Sequence, residues 1–518
     1  MLNTNYTYAY VNQPVRQCLA VASYRLLLHP LCSYPGPFLA KITQAYAGYY
    51  VVRKRDHLEV YEHHNQYGPV VRVGPNRLCF NTVTAFRDIY QNERITKASG
   101  YTAGALNNAP NLFYIIDNKP HRHKRNIMAQ ALSDRSLHTF EPVILDKLDT
   151  TLRQILHASR TSTPTDMTEK LRQLGLDIVG RLAFGYDLDV QTKQENRPMI
   201  DGMSFGNFRF NVYLNIPCLA AACLRIIEKL VGVGPRKKFF ARVKKMIVSR
   251  MAQDKDAQHD LYSIAADAYG DLSPGSGFWN DALLFIAAGG DTTSSAVCST
   301  LFYLTHYPDC YQSLAQEIRS TFRSGREIKT GSQLASCQYL RACIDESLRM
   351  SPPIVTTTWR EQIRGTNVSE PLIVDGHVIP PGTFVGVNLY ALHHNEEYFP
   401  DSFTYKPERW IKVDTGAPGE TPKQSHRAAF APFSAGSRSC LGKSMAYLEL
   451  SLVVAKIMWY FDFERAPGKL GEIGGGTVGA TNGRGRPDEY QVDDIFISQH
   501  RGPYLVFVPR GDTCMDLE

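Results

Sequence analysis

Residues 433–443 read FSAGSRSCLGK and place Cys440 between Gly436 and Gly442, close behind Arg438 and just ahead of a long apolar helical run. Glycine lacks a Cβ, so the backbone around the cysteine can turn sharply and approach a flat ligand closely. The neighbouring peptide N–H groups can then point at the sulfur. A thiolate held near a cation and a helix N-terminus has a lowered pKa and is available as a metal ligand. The rest of the chain is therefore expected to form a cage around Cys440.

Length and composition narrow the class of protein. The chain has 518 residues, enough for one large domain or two and for a sizeable cavity as well as a core. Lys and Arg number 57 against 50 Asp and Glu, without the dense basic tracts typical of nucleic-acid binding. The 11 cysteines are scattered and include no C-x-x-C pair, which argues against a disulfide framework or a structural zinc site. We expect a reducing compartment and no nucleic-acid partner.

The N-terminal segment, residues 1–33, holds only a short apolar run, Cys18 to Leu28, broken by polar residues. A bilayer span needs about 20 apolar residues, and the pattern of a cleaved signal peptide is missing. An interfacial helix or a short, truncated membrane anchor is expected here. The sequence Tyr34-Pro35-Gly36-Pro37 cannot continue a helix, so the main domain is predicted to span 34–518. Within it, the Gly-rich residues 467–487 are predicted to be a flexible surface insertion.

Hydrophobic periodicity predicts a mainly α fold. The predicted helices are 167–184, 239–251, 278–306, 308–322, 337–350 and 441–461. The stretch 278–306 is the longest and poorest in charge, so it is expected to run buried through the centre of the molecule. Short β-branched runs around turn residues predict a hairpin at 69–80 and a second small sheet at 372–388. The fold class expected is a single large helical domain with small β-sheets.

The cysteine loop matches a known pattern. Phe433, Gly436, Arg438, Cys440 and Gly442 fill the slots FxxGxRxCxG, which resembles the haem-binding loop of the cytochrome P450 family. A buried structural role is commoner for an arbitrary cysteine, but every slot of this pattern is filled. The resemblance implies haem b, with its iron held by the Cys440 thiolate. It also implies that Arg438 pairs with a propionate, that Phe433 packs beside the sulfur, and that backbone donors near Gly442 tune the potential.

A second motif, AGGDTT at residues 288–293, lies inside the longest predicted helix, where each glycine costs roughly 1 kcal/mol relative to alanine. Two explanations are open: a kink helped by a threonine hydroxyl bonded one turn back, or a close contact between helices. The run also resembles the family's oxygen-binding motif. That resemblance implies Asp291 and Thr292 as a catalytic proton-delivery pair.

Further charged residues fit the same family. Glu346 and Arg349 are spaced i, i+3 and could form a surface ion pair, but they match the family's ExxR motif. The run 407–410, PERW, resembles its PERF segment with Trp410 in place of phenylalanine. The resemblance implies a buried, structural charge network of Glu346, Arg349 and Arg409 beneath the cysteine loop, in which loss of one partner costs about 3–5 kcal/mol.

The basic run at 121–125, HRHKR, is in isolation a solvated helix face. The resemblance instead places His121 and Arg125 against the haem propionates, together with Arg360. Arg122 and Lys124 are then expected to face outward, where an acidic electron donor would dock.

The substrate pocket is expected to draw on stretches that mix apolar, aromatic and uncharged polar side chains. These stretches are Tyr101–Ile116, Phe205–Ile216, the helix around Phe285 and Ala288, Ile354–Thr358 and Ser498–Tyr504. They suit a medium-sized, mostly apolar organic substrate as the small-molecule partner. Residues 24–37 and 500–503 also resemble fungal secondary-metabolite members of the family, more weakly than the haem motifs do.

The function expected is a monooxygenase that inserts one oxygen atom of O2 into an organic substrate. By resemblance, NADPH supplies its electrons through a cytochrome P450 reductase, at the cytosolic face of the endoplasmic reticulum membrane. Two alternatives stay open: oxidative coupling or rearrangement by a haem-thiolate enzyme, and a non-catalytic haem-binding sensor. The second needs neither a proton-delivery pair nor a large pocket.

Overall fold

The computed structural model describes residues 15–104, 109–217, 234–270, 276–363, 370–411 and 423–518. Residues 15–23 are helical and continue into a π-helical turn, Tyr24–Leu28. The other α-helices are Phe38–Ile42, Ala45–Val52, Asp56–Tyr67, Val83–Tyr90, Asn118–Ala131, Asp134–Ser159, Met167–Phe184, Pro198–Asn215, Gly234–Met251, Leu261–Tyr269, Gly277–His306, Pro308–Thr321, Ser332–Ser336, Gln338–Met350, Leu389–His393, Lys423–Ala429 and Lys443–Tyr460. The mainly α prediction is confirmed.

The strands are short and form small separate sheets at the edge of the helical body. They are β1 Val70–Gly74, β2 Arg77–Phe80, β3 Ile95–Lys97, β4 Thr165–Asp166, β5 Arg360–Gln362, β6 Leu372–Val374, β7 His377–Ile379, β8 Phe384–Val387, β9 Phe461–Arg465, β10 Val492–Asp493, β11 Gln499–His500 and β12 Tyr504–Pro509. The largest sheet has the order β1-β2-β8-β5-β3, and β4-β12-β9, β6-β7 and β10-β11 form the others.

The hairpin expected at 69–80 is the antiparallel pair β1–β2. The second sheet differs from its prediction, because β6 and β7 pair only with each other while β8 runs parallel to β2. Asp375 and Gly376, both with positive φ, make the tight turn between β6 and β7. The prolines at 380–381 then lead the chain away from that hairpin and into the larger sheet.

The central helix, Gly277–His306, is buried along most of its length. It begins at Ser276, whose hydroxyl accepts a hydrogen bond from the Trp279 N–H, a standard N-cap. It crosses the helix Met167–Phe184, here called the crossing helix. A Cβ at Gly175 of the crossing helix would lie 2.5 Å from the Gly290 carbonyl oxygen. The glycines of AGGDTT therefore serve a close contact between these two helices.

The largest hydrophobic core joins the central helix to the cysteine helix, Lys443–Tyr460. Leu301 of the former and Val454 of the latter are fully buried, as is Ile344 of a third helix beside them. Burying one such side chain stabilises the fold by about 1.5–3 kcal/mol. This core fixes the helix that carries AGGDTT relative to the helix that follows Cys440.

Two segments were singled out by composition: the N-terminal residues 1–33 and the Gly-rich residues 467–487. Residues 1–14 lie outside the described part of the chain, and no helix in the described part is long and apolar enough to cross a bilayer. Residues 467–487 pack more closely than their composition led us to expect. The Gly476 and Thr477 N–H groups donate to the carbonyls of Arg486 and Arg484, so the segment folds back on itself, and its flexibility stays a prediction.

Candidate active site

The cysteine loop, residues 433–443, requires glycine at position 436 and leaves open space beside position 442. Gly436 has φ +69°, and a Cβ there would lie 2.1 Å from the Tyr90 carbonyl oxygen. The Cys440 N–H donates to the Phe433 carbonyl at 2.8 Å, which closes the loop. A Cβ at Gly442 would meet no atom within 4 Å, and Gly442 lines the large cavity. The loop thus presents an open, flat face to that cavity.

The accessible surface of Cys440 faces the same cavity. Burial raises the pKa of its thiol, while the Gly442 N–H, Arg125 and Lys443 act in the opposite direction. Our expectation of a lowered pKa is therefore wrong for the chain alone, because burial outweighs the nearby donors and cations. A metal that binds this sulfur must displace its proton.

The cavity has a volume of about 510 Å³ and lies between the central helix and the cysteine loop. Four of the five predicted pocket stretches contribute to its lining, apart from residues 105–108, which lie outside the described part of the chain. The stretch 498–504 does not contribute, and Phe496 and Ile497 line the cavity instead. The reason is that His500 is drawn into β11, paired with Val492 of β10.

Basic side chains cluster at the edge of the cavity nearest the cysteine loop. They are Lys97, His121, Arg125, Arg360 and Arg438, here called the basic cluster. Burial and the neighbouring cations lower the pKa of His121 to about 3 and that of Lys97 well below its usual value. Burial, with Arg360 close by, also lowers the pKa of Arg438 to about 10.

The hydrogen bonds of the basic cluster go to neutral groups. Arg125 donates to the Ser439 carbonyl at 2.7 Å, and Arg438 donates to Asn118 Oδ1 at 2.9 Å and to the Ile116 carbonyl. The Nε of Arg438 is buried without a partner. Within the described residues, no ion pair joins this cluster to a carboxylate.

Buried cations without anions are costly, so the basic cluster favours a ligand that brings negative charge. Haem carries two propionates and needs a flat approach beside a thiolate, which the Gly442 face and Cys440 supply. The residues present therefore fit haem. Sequence reasoning missed Lys97, because a lone lysine in the short strand β3 carries no local signal of its place in the fold.

Thr292 and Asp291 face different sides of the central helix. Thr292 lines the cavity, and its hydroxyl donates to the Ala288 carbonyl at 2.7 Å, as predicted. Asp291 is buried and accepts from Arg172 of the crossing helix, with Nε–Oδ1 2.8 Å and Nη2–Oδ2 3.2 Å. Arg172 also donates to Ser204 at 2.7 Å.

A buried acid that we did not predict, Glu449, lines the cavity from the cysteine helix. Burial raises its pKa to about 7, against a hydrogen bond from the Thr293 hydroxyl. Thr293 also lines the cavity and follows Thr292 in the central helix. The sequence signal was weak, since one glutamate in an apolar helix is hard to place.

The predicted charge network lies beneath the loop. Glu346 and Arg349 are fully buried and joined by bonds of 2.8 and 2.9 Å, and Arg409 reaches Glu346 at 3.2 Å. The Trp410 indole N–H donates to Glu346 Oε2 at 2.9 Å, a bond that phenylalanine could not make. The network reaches the residues just before the cysteine loop through His393, which bonds to the Arg349 carbonyl and accepts from the Ala431 N–H. The Ala431 carbonyl in turn accepts from the Ser434 N–H of the loop.

One prediction on the basic run is wrong. Lys124 does not face outward: its Nζ lies 2.6 Å from Asp281 Oδ2, and its side chain is half-buried against that fully buried carboxylate. Asp281 also accepts from the Tyr269 hydroxyl at 2.6 Å and from the Leu112 N–H. The ion pair with Asp281, near the start of the central helix, therefore holds Lys124 inward. Arg122 is exposed, as expected, with Glu93 at 3.5 Å.

Comparison with known proteins gives consistent matches. The family model described as Cytochrome P450 matches residues 32–472. The cytochrome P450 monooxygenase AKT7 of Alternaria alternata is 34% identical over 94% of this chain and 94% of its own length. The cytochrome P450 monooxygenase poxM of Penicillium oxalicum is 34% identical, covering 93% of this chain and 91% of that protein. The cytochrome P450 monooxygenase apf7 of Gibberella fujikuroi is 33% identical over 95% of this chain and 96% of its own length.

Proposed function

This chain belongs to the cytochrome P450 family as a haem-thiolate monooxygenase of fungal secondary metabolism, and we propose how its own residues serve that reaction. The observation that carries the proposal is the placement of Cys440, Gly442 and Thr292 around one cavity whose edge is lined by cations. The substrate is a medium-sized, mostly apolar organic molecule, since apolar and aromatic side chains dominate the lining.

The cofactor-binding residues divide into two groups. Cys440 would hold the iron, with Phe433, Gly436 and Gly442 shaping the loop around the sulfur. Haem bound through a thiolate supplies the activation of O2 that the side chains cannot perform. His121, Arg125, Arg360 and Arg438 would bind the propionates, and Lys97 adds a further cation to this set.

The proton route begins at Asp291. Its carboxylate is held by Arg172 on the side of the central helix away from the cavity. A change of side-chain rotamer would move the carboxylate from Arg172 toward Thr292, whose hydroxyl lines the cavity and already bonds to the Ala288 carbonyl. On leaving Arg172, Asp291 would take up a proton from solvent water and pass it to the Thr292 hydroxyl, which faces the cavity, and the carboxylate would then return to Arg172.

The test uses turnover with labelled O2. Candidate substrates are first screened on the purified holoprotein for shifts of the haem spin state, and those that shift it are oxidised with NADPH and a fungal reductase. We expect one labelled oxygen atom per product. In Asp291→Asn, NADPH consumption should continue while product falls by about 100-fold or more. Product without label would instead support coupling or rearrangement, and unchanged product in Asp291→Asn would contradict the proton route.

We also propose NADPH-cytochrome P450 reductase as the electron donor, docked near Arg122 on the face beside the cysteine loop. Arg122 is the cation of this run that remains exposed. Arg122→Glu should slow reduction and weaken its dependence on salt, because a complementary charge steers the encounter. An unchanged rate and salt dependence would exclude this docking site.

For localisation we propose contact with the cytosolic face of the endoplasmic reticulum membrane. The support is a set of exposed apolar side chains along residues 15–39, including Leu19, Leu27, Leu28, Phe38 and Leu39. Such a surface suits an interfacial helix. Flotation of the protein with phospholipid vesicles should be lost when Leu27 and Leu28 are changed to serine, and flotation that persists would contradict the proposal.

A further inference from the structure

Phe496 has a backbone conformation that phenylalanine rarely adopts. Its φ is +82°, in the left-handed region that favours glycine. The ring is buried and lines the cavity, with its centre 4.8 Å from that of Phe210 and 5.3 Å from that of Phe113. A bulky residue stays in such a conformation only when the surrounding contacts over-determine it. The contacts that hold Phe496 therefore decide the shape of this side of the cavity.

A fully buried acid, Asp494, fixes the turn that carries Phe496. Its Oδ1 accepts hydrogen bonds from the Phe496 N–H at 3.2 Å, from Asn211 Nδ2 at 2.9 Å and from the Thr356 hydroxyl. Burial raises the pKa of Asp494 to about 6, and these three bonds act in the opposite direction. The Asp494 N–H also donates to the Lys54 carbonyl at 2.8 Å. The backbone and the side chain of Asp494 are thus both anchored.

The donors to Asp494 belong to segments that form two other walls of the cavity. Asn211 directly follows Phe210 in one helix, and the Phe210 ring lines the cavity. Thr356 lies in the stretch 354–358, whose first and last residues also line the cavity. One carboxylate oxygen therefore fixes the turn relative to both of these walls.

The donor from the helix is itself held in place by further buried side chains. Asn215 Nδ2 donates to Asn211 Oδ1 at 3.1 Å, which turns the other end of the Asn211 amide toward Asp494. Asn215 Oδ1 accepts from the Trp359 indole N–H at 3.1 Å and from Arg77 Nη1 at 3.2 Å. All of these side chains are buried. The orientation of the amide that bonds to Asp494 is thus set before any ligand enters.

The bonding pattern of Asp494 distinguishes its acceptor from its charge. Among the described residues, its Oδ2 is buried without a hydrogen-bond partner, while Oδ1 accepts all three bonds. An amide oxygen at this position would satisfy the same three donors. A side chain without an acceptor would release the Phe496 N–H, and the backbone could relax to a φ that phenylalanine prefers. The ring would then leave its place in the cavity wall.

We propose that Asp494 is a positioning residue, which holds the Phe496 ring against the cavity and so determines which apolar groups of the substrate fit beside it. Asp494 acts through Phe496 and does not itself line the cavity. The inference rests on the proposed function, because it concerns how ligands of the haem-loaded cavity are selected.

The experiment measures the ligand selectivity of the haem-loaded protein, without turnover. Imidazole is compared with phenylimidazole, bifonazole and clotrimazole, whose nitrogen shifts the Soret band when it binds to the iron. The selectivity ratio is the Kd of imidazole divided by the Kd of the substituted probe that binds most tightly to the unaltered protein. Phe496→Ala should lower this ratio by about threefold to tenfold, the usual effect of losing one aromatic contact. Asp494→Ala should lower it by a similar factor, whereas Asp494→Asn keeps the Oδ1 acceptor and should leave it unchanged.

Two comparisons separate positioning from a loss of stability. In the Phe496→Ala background, Asp494→Ala should have no further effect on the ratio, because the ring that it positions is absent. The matched control is Asp177→Ala. Asp177 is also buried and accepts from two loop N–H groups, those of Val190 at 2.7 Å and Gln191 at 3.1 Å, and neither of these residues lines the cavity. This control should lower the melting temperature and leave the selectivity ratio unchanged.

The inference would be overturned by an unchanged ratio in Phe496→Ala or Asp494→Ala, or by an equal fall in Asp494→Asn. It would also be overturned if Asp494→Ala kept its full effect without the Phe496 ring, or if the unaltered protein preferred no substituted probe over imidazole. Should Asp494→Ala not retain haem, Asn211→Ala replaces it: loss of the donor from the helix should lower the ratio in the same direction, and an unchanged ratio would overturn the inference. Absence of the thiolate-type spectrum of the CO complex in the unaltered protein would refute the proposed function itself, which keeps the two failures distinct.

Discussion

Trp410 gives the sharpest test of the network beneath the cysteine loop. Its indole N–H donates to the fully buried carboxylate of Glu346 at 2.9 Å. Trp410→Phe removes that donor but keeps a ring against Phe399 and Phe430, whose centres lie 6.2 and 4.6 Å away. A hydrogen bond to a charged group contributes about 1.5–3 kcal/mol. We therefore expect Trp410→Phe to lower the free energy of unfolding by about 2 kcal/mol, with some additional loss of packing.

The assay is urea unfolding of the holoprotein, followed by circular dichroism, in a double-mutant cycle with Glu346→Gln. The neutral amide should weaken the indole bond, so the effect of Trp410→Phe should shrink in that background. A change below about 0.5 kcal/mol in the single variant, which is the range of ordinary surface substitutions, would refute the assigned bond. An equal effect in both backgrounds would show that only packing was lost.

Two further predictions concern the cysteine loop and the buried acid behind it. Gly436→Ala combines a φ of +69° with a contact of 2.1 Å to the Tyr90 carbonyl, whereas the matched control Gly468→Ala has φ +63° and open space. Thermal unfolding should show a clearly larger loss for Gly436→Ala, and equal losses would mean that the loop can shift. Glu449→Gln should stabilise the protein at alkaline pH, because the raised pKa of about 7 makes the folded state hold a proton that the unfolded state releases above 4.5. The free energy of unfolding that the buried carboxyl removes grows from pH 4.5 to about 7 and then stays constant at up to about 3 kcal/mol. The stabilities of the two proteins should therefore diverge over that pH range. An equal pH dependence in both proteins would contradict the raised pKa of Glu449.

The fold was most predictable where the chain carries its own start and stop signals. The crossing helix was predicted with the bounds Met167–Phe184 that the structure has. Asp166 caps its first turn, accepting from the N–H of residues 168 and 169, and Gly185 ends it with φ +53°. Such signals act locally and can be read from sequence. The register of β8 beside β2 joins strands some 300 residues apart in sequence and left no local trace.

In the candidate site, too, local sequence patterns were predictable and contacts between distant residues were not. Cys440 and its loop form a contiguous pattern, so the prediction that they hold haem could be made from the sequence alone. Lys97 and Glu449 reach the cavity only because distant elements fold around it, and Lys124 is turned inward by Asp281, more than 150 residues away in the chain. These placements depend on tertiary contacts, which composition and periodicity do not encode.

We propose above all that the Cys440 thiolate is the ligand of a haem iron at the floor of this cavity. The most direct test is the absorption spectrum of the reduced, CO-bound protein, recorded beside Cys440→Ser prepared in the same way. We expect the red-shifted Soret band of thiolate ligation in the unaltered protein and its loss in the variant. A protein purified without haem, or a Soret band without that shift in the unaltered chain, would contradict it.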